Sequence, residues 1–472
     1  MRDKRSAAIV RAMPRISALF SHRIVAGTLA GYYGQFIQLA IQLLSLPILT
    51  AHWGLAGYGT WLILFTIPAS LGLADLGLSA AGGNTMAAAA TRGEIPRARA
   101  IYASLRVITL TTGVVIAGAV LVVLFVIRPR SLDFAQAVTG GRAHETVCLL
   151  LGYGFLSLIN ACPIAASRSI DAFASTIAID QSIVLVEATC ALTTALLGFG
   201  PADVARAYFL ARLGGSIVLN LYVISRAEWL QHVPWKLDFA ELRQLFGPAM
   251  AAMILPGAYA ITVQGAVVAI GAVSGPAAVP VFTAVRTLSR TALQFAFRVN
   301  FATMPRYTVL AASHDRAGMD RLVMLNLVVT ALLVVPAAVV ILALGIPFIA
   351  IWTHHVVHPS FLLLALMVAA MLLNAAWVPL SNLILSVNHH GGFTYFFLLS
   401  AALTIGLGTV LQHRLGTIGM VAALVLQEAA MVGWVWRLGR RIGVIPRGAI
   451  AAAWTYGQYL LGTVVLRRRV GE

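Results

Sequence analysis

The chain reads as an all-α polytopic membrane protein with about twelve transmembrane helices, and three features of the sequence predict it. It is 60% hydrophobic and 10% charged over 472 residues, where soluble domains are roughly 45–50% apolar and about 25% charged. Apolar stretches of the ~20 residues that a bilayer crossing requires recur from Ile24 onward. The connections between them are short, which leaves no room for a soluble catalytic domain.

Apolar runs set against charged or Gly/Pro punctuation predict spans near 24–50, 58–80, 101–127, 146–167, 174–198 and 203–225. A polar stretch around 226–244 follows. Further spans fall near 245–272, 277–303, 322–350, 361–386, 392–411 and 416–436. The predicted organisation is therefore a basic cytoplasmic segment (1–23), a first six-helix lobe (24–225), a cytoplasmic linker (226–244), a second six-helix lobe (245–436) and a basic C-terminal segment (437–472). The first apolar stretch, Ile24 to Thr50, is longer than a secretory h-region and reads as an uncleaved helix. Within the last segment, 450–466 is about long enough to cross, but crossing would carry Arg467, Arg468 and Arg469 outside. A helix lying in the interface is expected there.

Arginine and lysine accumulate at the N-terminus, at Arg92, Arg97 and Arg99, at Arg226 and Lys236, at Arg306, Arg316 and Arg321, and at Arg437, Arg440 and Arg441. All fall on one side if the N-terminus is cytoplasmic, which is the orientation that the positive-inside rule selects. Arg128, Arg130 and Arg142 dilute the pattern on the other side. Six spans per half bring both halves in from the same side, so an internal repeat would be related by an axis along the membrane normal. The turn at Gly54–Thr60 is faintly echoed at Gly275–Thr283.

The net charge of +17 does not point to nucleic acid, because the basic residues sit singly between apolar segments. Nearly all of it is arginine, since Lys4 and Lys236 are the only lysines. That is either a compositional habit or a use of guanidinium forks on phosphate oxygens. Cys148, Cys162 and Cys190 have no CxxC spacing and imply neither a disulfide framework nor a metal. His354, His355 and His358 lie in a connection before Pro359 without a flanking carboxylate and read as a loop at the membrane surface.

Ionisable residues inside spans are costly, by about 2.5–3.5 kcal/mol on insertion scales, and are functional candidates by default. Arg286, Arg290 and Arg298 lie on one predicted helix within an arc of about 120° and can line one wall of a cavity. Arg298 also fits a residue that snorkels to the interface. Arg206 and Arg212 offer a similar contribution from the sixth span, where Arg206 also fits a boundary marker. Asp75, Asp180, Glu187 and Glu428 are the acidic residues placed in spans. Each is either a proton- or sodium-coupling group or half of a structural ion pair. Gln38 and Gln42, one turn apart, suit sugar hydroxyls or interhelical hydrogen bonds. No nucleotide-binding G-x-x-x-x-G-K-[ST] loop is present, so no cofactor is expected, and any energy comes from ion gradients or substrate flux.

Four stretches carry a family likeness. Gly54 to Leu78 (GLAGYGTWLILFTIPASLGLADLGL) has a turn into a helix that ends in a D-L-G element containing Asp75. Val281 to Tyr307 (VFTAVRTLSRTALQFAFRVNFATMPRY) is an aromatic-led helix that ends in a proline. Gly345 to Asn388 begins with an apolar run into tryptophan (GIPFIAIW), and Leu411 to Glu428 (LQHRLGTIGMVAALVLQE) is a glycine-punctuated helix start. In order and spacing these resemble the polysaccharide transporter family, the Wzx-type flippases of the multidrug/oligosaccharidyl-lipid/polysaccharide (MOP) superfamily. No thirteenth and fourteenth spans are visible, which separates the chain from close relatives of the lipid II flippase.

The resemblance implies a MATE-like pair of six-helix lobes that alternate in opening within the bacterial inner membrane. They would carry a polyprenyl-pyrophosphate-linked oligosaccharide to the outer leaflet for surface polysaccharide assembly, with other assembly proteins as possible partners. Under it Arg286 and Arg290 bind the pyrophosphate, with Arg298, Arg206 and Arg212 adding positive potential. The alternatives are a MATE-type drug or cation exporter, which would favour an acidic cavity, a glycan-assembling enzyme, and a non-transporting scaffold.

Overall fold

The computed structural model describes residues 22–443 except 76, 123–135, 137, 138, 232, 314 and 387–389. The basic N-terminal segment and the expected interfacial helix at 450–466 lie outside the described residues. The described residues form an all-helical, multi-pass membrane protein. In chain order come α1 (His22–Leu64), α2 (Thr66–Leu71), α3 (Leu78–Thr91), α4 (Ile95–Val122), α5 (Ala143–Ala166), α6 (Phe173–Leu196), α7 (Pro201–Ser225) and the short α8 (Glu228–Gln231). They continue with α9 (Phe239–Ala260), α10 (Ala266–Val273), α11 (Ala278–Ala312), α12 (Arg316–Trp352), α13 (Phe361–Ser386), α14 (His390–Leu415) and α15 (Thr417–Arg441).

Ten helical segments among the described residues are long and apolar enough to cross a membrane, against about twelve expected. Two local features account for the difference. The first two predicted spans form one continuous helical segment, broken inside by Gly54 at φ 69°, ψ 177°, a conformation that a residue with a Cβ rarely adopts. The eighth predicted span is α11, whose 35 residues are ample, but whose arginines at 286, 290, 298 and 306 keep it from being uniformly apolar.

The helices cluster into two compact units. The first comprises the described residues within 1–45, 71–132 and 139–252. Its core joins α3, α4, α5 and α7 with the start of α9 through Leu78, Met86, Ile101, Leu105, Cys162, Val223 and Leu245. In lipid there is little hydrophobic drive between helices, so close packing and polar links matter. Asn160 Nδ2 donates to Ser216 Oγ at 3.0 Å, tying α5 to α7. The predicted linker runs against this unit. Arg99 Nε donates to the Trp229 carbonyl (3.0 Å), and the Arg106 guanidinium lies 3.9 Å from the centre of the Trp235 ring. Asp238 then caps α9 by accepting from the backbone N–H of Ala240 at 3.0 Å.

The second unit comprises the described residues within 46–70, 133–138 and 253–472, so the stretch 46–70 clusters with the second-half helices and not with the rest of the first lobe predicted from sequence. Glycine makes this fit: a Cβ on Gly59 would lie 1.8 Å from the Pro276 carbonyl oxygen, and one on Gly271 would lie 2.3 Å from Ile63. The core is aromatic. Trp377 is fully buried between Phe393 and Phe397, at ring-centre distances of 5.9 and 5.7 Å, and each such pair adds about 0.5–1.5 kcal/mol beyond its area. Asn326 Nδ2 donates to Thr303 Oγ1 (2.7 Å) and to the Tyr307 hydroxyl (2.9 Å), joining α11 to α12.

Candidate functional site

The second unit holds a cavity of about 100 Å³ between α9, α11, α13 and α15, and its lining brings together three charged residues that the sequence singled out. Arg286 and Arg290, one helical turn apart on α11, enter it from one side, and Glu428 of α15 enters it with Asn374 of α13 and Tyr259 of α9. Most of the remaining wall is apolar or aromatic: Phe282, Leu293, Phe297, Met367 and Phe397. Charges within such a wall are poorly screened and interact more strongly than in water.

A local irregularity positions Arg286. Between α9 and α10 the backbone makes one π-helical turn, Ile261–Gly265, of the kind that recurs at functional sites because it frees backbone groups from the regular ladder. The Val263 carbonyl within that turn accepts from Arg286 Nη1 at 3.3 Å. The Phe282 ring lies 5.4 Å from the same guanidinium. Arg290 is more exposed.

Glu428 is held by neutral donors. Trp377 Nε1 donates to Oε2 at 2.6 Å, and Asn374 Nδ2 lies 3.0 Å from both carboxylate oxygens. Asn374 Oδ1 is buried and accepts no hydrogen bond from the described residues. The sequence singles out Glu428, whereas Asn374 is one amide within an apolar span. Trp377 and the π turn carry no local sequence signal.

The other candidate residues fall elsewhere. Arg212, in the first unit, is buried and paired. Its Nη2 donates to Glu187 Oε2 at 2.8 Å, its Nε approaches Oε1 at 2.5 Å, and its Nη1 reaches Asp180 Oδ1 at 3.4 Å. The Tyr153 hydroxyl donates to Glu187 Oε2 at 3.2 Å. Arg212, Asp180 and Glu187 are thus brought together, and the positive potential expected of Arg212 is met within its own unit. Arg206 is exposed and pairs with Glu145 and, at 3.3 Å, with Asp203. Arg142 joins both carboxylates, at 2.9 Å to Glu145 and 3.1 Å to Asp203, so the four charges close a ring between the starts of α5 and α7. Those two carboxylates raise the pKa of Arg142 above the usual arginine range.

Asp75 accepts from Ser79 at its backbone N–H (3.2 Å) and its hydroxyl (2.5 Å), which anchors the start of α3. Gln38 and Gln42 are exposed on α1 in the first unit. Arg298 lies on α11, and its side chain is outside what is described.

No family model and no curated protein sequence matches the chain. Its fold does match solved transporters of the MOP superfamily. The chain is similar to a multidrug-resistance MATE transporter of that superfamily in an inward-facing conformation, with TM-score 0.66 and 14% identity over 87% of this chain and 98% of that one. It is similar to the lipid II flippase MurJ in an inward closed conformation, with TM-score 0.62 and 13% identity over 94% and 93% of the two chains. It is similar also to a MOP superfamily transporter from Pyrococcus furiosus described as having a binding pocket of reverse polarity, with TM-score 0.62 and 14% identity over 89% and 95%. The shared fold is that of MOP transporters, and identities this low speak to fold alone.

Proposed function

We propose that the chain is a flippase that carries a polyprenyl-pyrophosphate-linked oligosaccharide across the bacterial inner membrane for surface polysaccharide assembly. It works by alternating access, with its N-terminus cytoplasmic. The observation that carries this reading is the pair Arg286 and Arg290, facing one largely apolar cavity in which Glu428 is the only carboxylate among the lining residues. Two guanidinium forks one turn apart suit the paired phosphates of a pyrophosphate, each fork offering two parallel donors to non-bridging oxygens. The aromatic wall suits the ends of the isoprenoid and of the sugar, and the remaining tail stays in lipid. Proton or sodium coupling falls to Glu428, to Asp75 or to the Asp180–Glu187 pair; Glu187 is buried and the other three are partly buried.

The test is leaflet exchange of a labelled polyprenyl-pyrophosphate oligosaccharide in liposomes containing purified protein. Exchange that is lost in Arg286→Ala/Arg290→Ala supports the reading, and exchange unchanged in that variant refutes the assigned site. A second reading, a cation or drug exporter, is favoured by Glu428 itself, since a cavity carboxylate is what a cationic substrate would seek. On that reading Glu428→Gln abolishes drug efflux, while the arginine variant retains it.

A further inference from the structure

Glu428 stands in the same cavity as the two arginines, yet its hydrogen bonds come from Trp377 and Asn374. Both its oxygens accept, which is the arrangement an ionised carboxylate requires. The other groups that face it are few. Arg286 and Arg290 come from α11, Tyr259 comes from α9, α13 contributes the neutral Asn374 and Trp377, α14 contributes Phe397, and α10 has no titratable residue. With the carboxylate ionised, these groups sum to one positive charge; with it protonated, they sum to two.

Phosphate diesters stay ionised at neutral pH, so a lipid–diphosphate–sugar brings two negative charges and a lipid–monophosphate–sugar brings one. In a cavity with an apolar wall, an unbalanced charge is expensive. Asn374 supplies the structural means for Glu428 to change state. Its Oδ1 is buried without a donor among the described residues, and rotation of the amide by half a turn would present that oxygen to the hydroxyl of a protonated Glu428.

Resting on the flippase reading, we propose that Glu428 and the substrate's phosphates share the two arginine charges, so that binding a diphosphate head takes up one proton on Glu428 while a monophosphate head binds without it. The carboxylate then acts as a stand-in anion in the empty cavity and as a sensor of how many phosphates have arrived. Asn374 is a positioning residue for both of its states.

The experiment is calorimetric titration of the purified full chain with farnesyl diphosphate–N-acetylglucosamine and with farnesyl phosphate–N-acetylglucosamine. It is run at about pH 7 in two buffers of different ionisation enthalpy, which counts protons exchanged per binding event. About one proton taken up with the diphosphate probe and about none with the monophosphate probe is expected. Above the titration of Glu428, diphosphate affinity should fall about tenfold per pH unit. Glu428→Gln should bring the diphosphate count to zero and remove that pH dependence, and Glu428→Asp should restore both; a melting curve checks that each variant is folded. Diphosphate binding by the wild type without proton uptake, or uptake that persists in Glu428→Gln, overturns the proposal and leaves the flippase reading standing. If neither probe binds the wild type, or if Arg286→Ala/Arg290→Ala binds both undiminished, the phosphate site itself is refuted and the proton linkage falls with it.

Discussion

Removing Arg212 is the sharpest test of how the first unit holds together. Its side chain is 6% exposed and that of its main partner, Glu187, is 1% exposed, with contacts at 2.5 and 2.8 Å. For charge centres about 4 Å apart, an effective dielectric of about 20 gives about 4 kcal/mol of attraction. Removing one member of such a pair costs about 3–5 kcal/mol, because the other is left buried and uncompensated. In Arg212→Ala, Asp180 and the Tyr153 hydroxyl cannot replace the lost cation, since one is acidic and the other neutral. At about 2–4 °C per kcal/mol for a unit of this size, the melting temperature in detergent should fall on the order of 10 °C. Replacing both partners, as Arg212→Met/Glu187→Met, should recover most of that loss, because two apolar side chains need no counter-ion. A single variant that melts within about 2 °C of the wild type, or a double variant no better than the single, would show that water reaches the cluster and that the reasoning from burial is wrong.

Four further outcomes follow from local geometry. Gly59→Ala drives a Cβ into the Pro276 carbonyl, and because the obstacle is backbone, the strain of about 1–3 kcal/mol should appear as a lower melting temperature. Trp377→Phe keeps the ring stack but deletes the 2.6 Å donor to Glu428; a bond to a charged group is worth about 1.5–3 kcal/mol, which a melting curve would register. Asn326→Leu loses two interhelical bonds of about 0.6 kcal/mol each, the average for such bonds in membranes, and chemical denaturation in mixed micelles can resolve the difference. Arg286→Lys/Arg290→Lys preserves charge but removes the forks, so diphosphate probe affinity measured by calorimetry should drop about tenfold or more; near wild-type affinity would mean that charge alone is recognised.

Much of the fold was legible because span length and punctuation are local. The predicted tenth span, 361–386, coincides with α13 (Phe361–Ser386), and the turn read at Gly54 is where α1 breaks. The arginines of α11 were legible as a set because i, i+4 spacing fixes a shared face regardless of what that face meets. What each ionisable residue meets was not legible. Arg206 finds Glu145, 61 positions away, and Arg212 finds Glu187 across 25 positions; such partners are chosen by helix packing, which an apolar sequence scarcely encodes. The clustering of 46–70 with the second unit escaped for the same reason. It depends on glycines 59 and 271 meeting Pro276 and Ile63, and a small residue in a span does not announce which neighbour it admits.

The distribution of charge separates the competing functions more sharply than the fold does. In the first unit Arg212 faces two carboxylates, and Arg142 and Arg206 face two more, so those arginines are committed to holding helices together. In the second unit Arg286 leans on a carbonyl and an aromatic ring, and the cavity's one carboxylate is held by neutral donors. Among the arginines of these three sites, the pair not matched by an equal number of carboxylates is Arg286 and Arg290 of α11. A site built for a cationic drug would need the opposite excess, because an organic cation placed beside two guanidinium groups in a largely apolar wall meets repulsion that one carboxylate cannot offset. An anionic head meets two fixed positive charges at one turn's spacing. The shared MOP transporter fold is compatible with either cargo; the unneutralised arginines of α11 are what favour the phosphate.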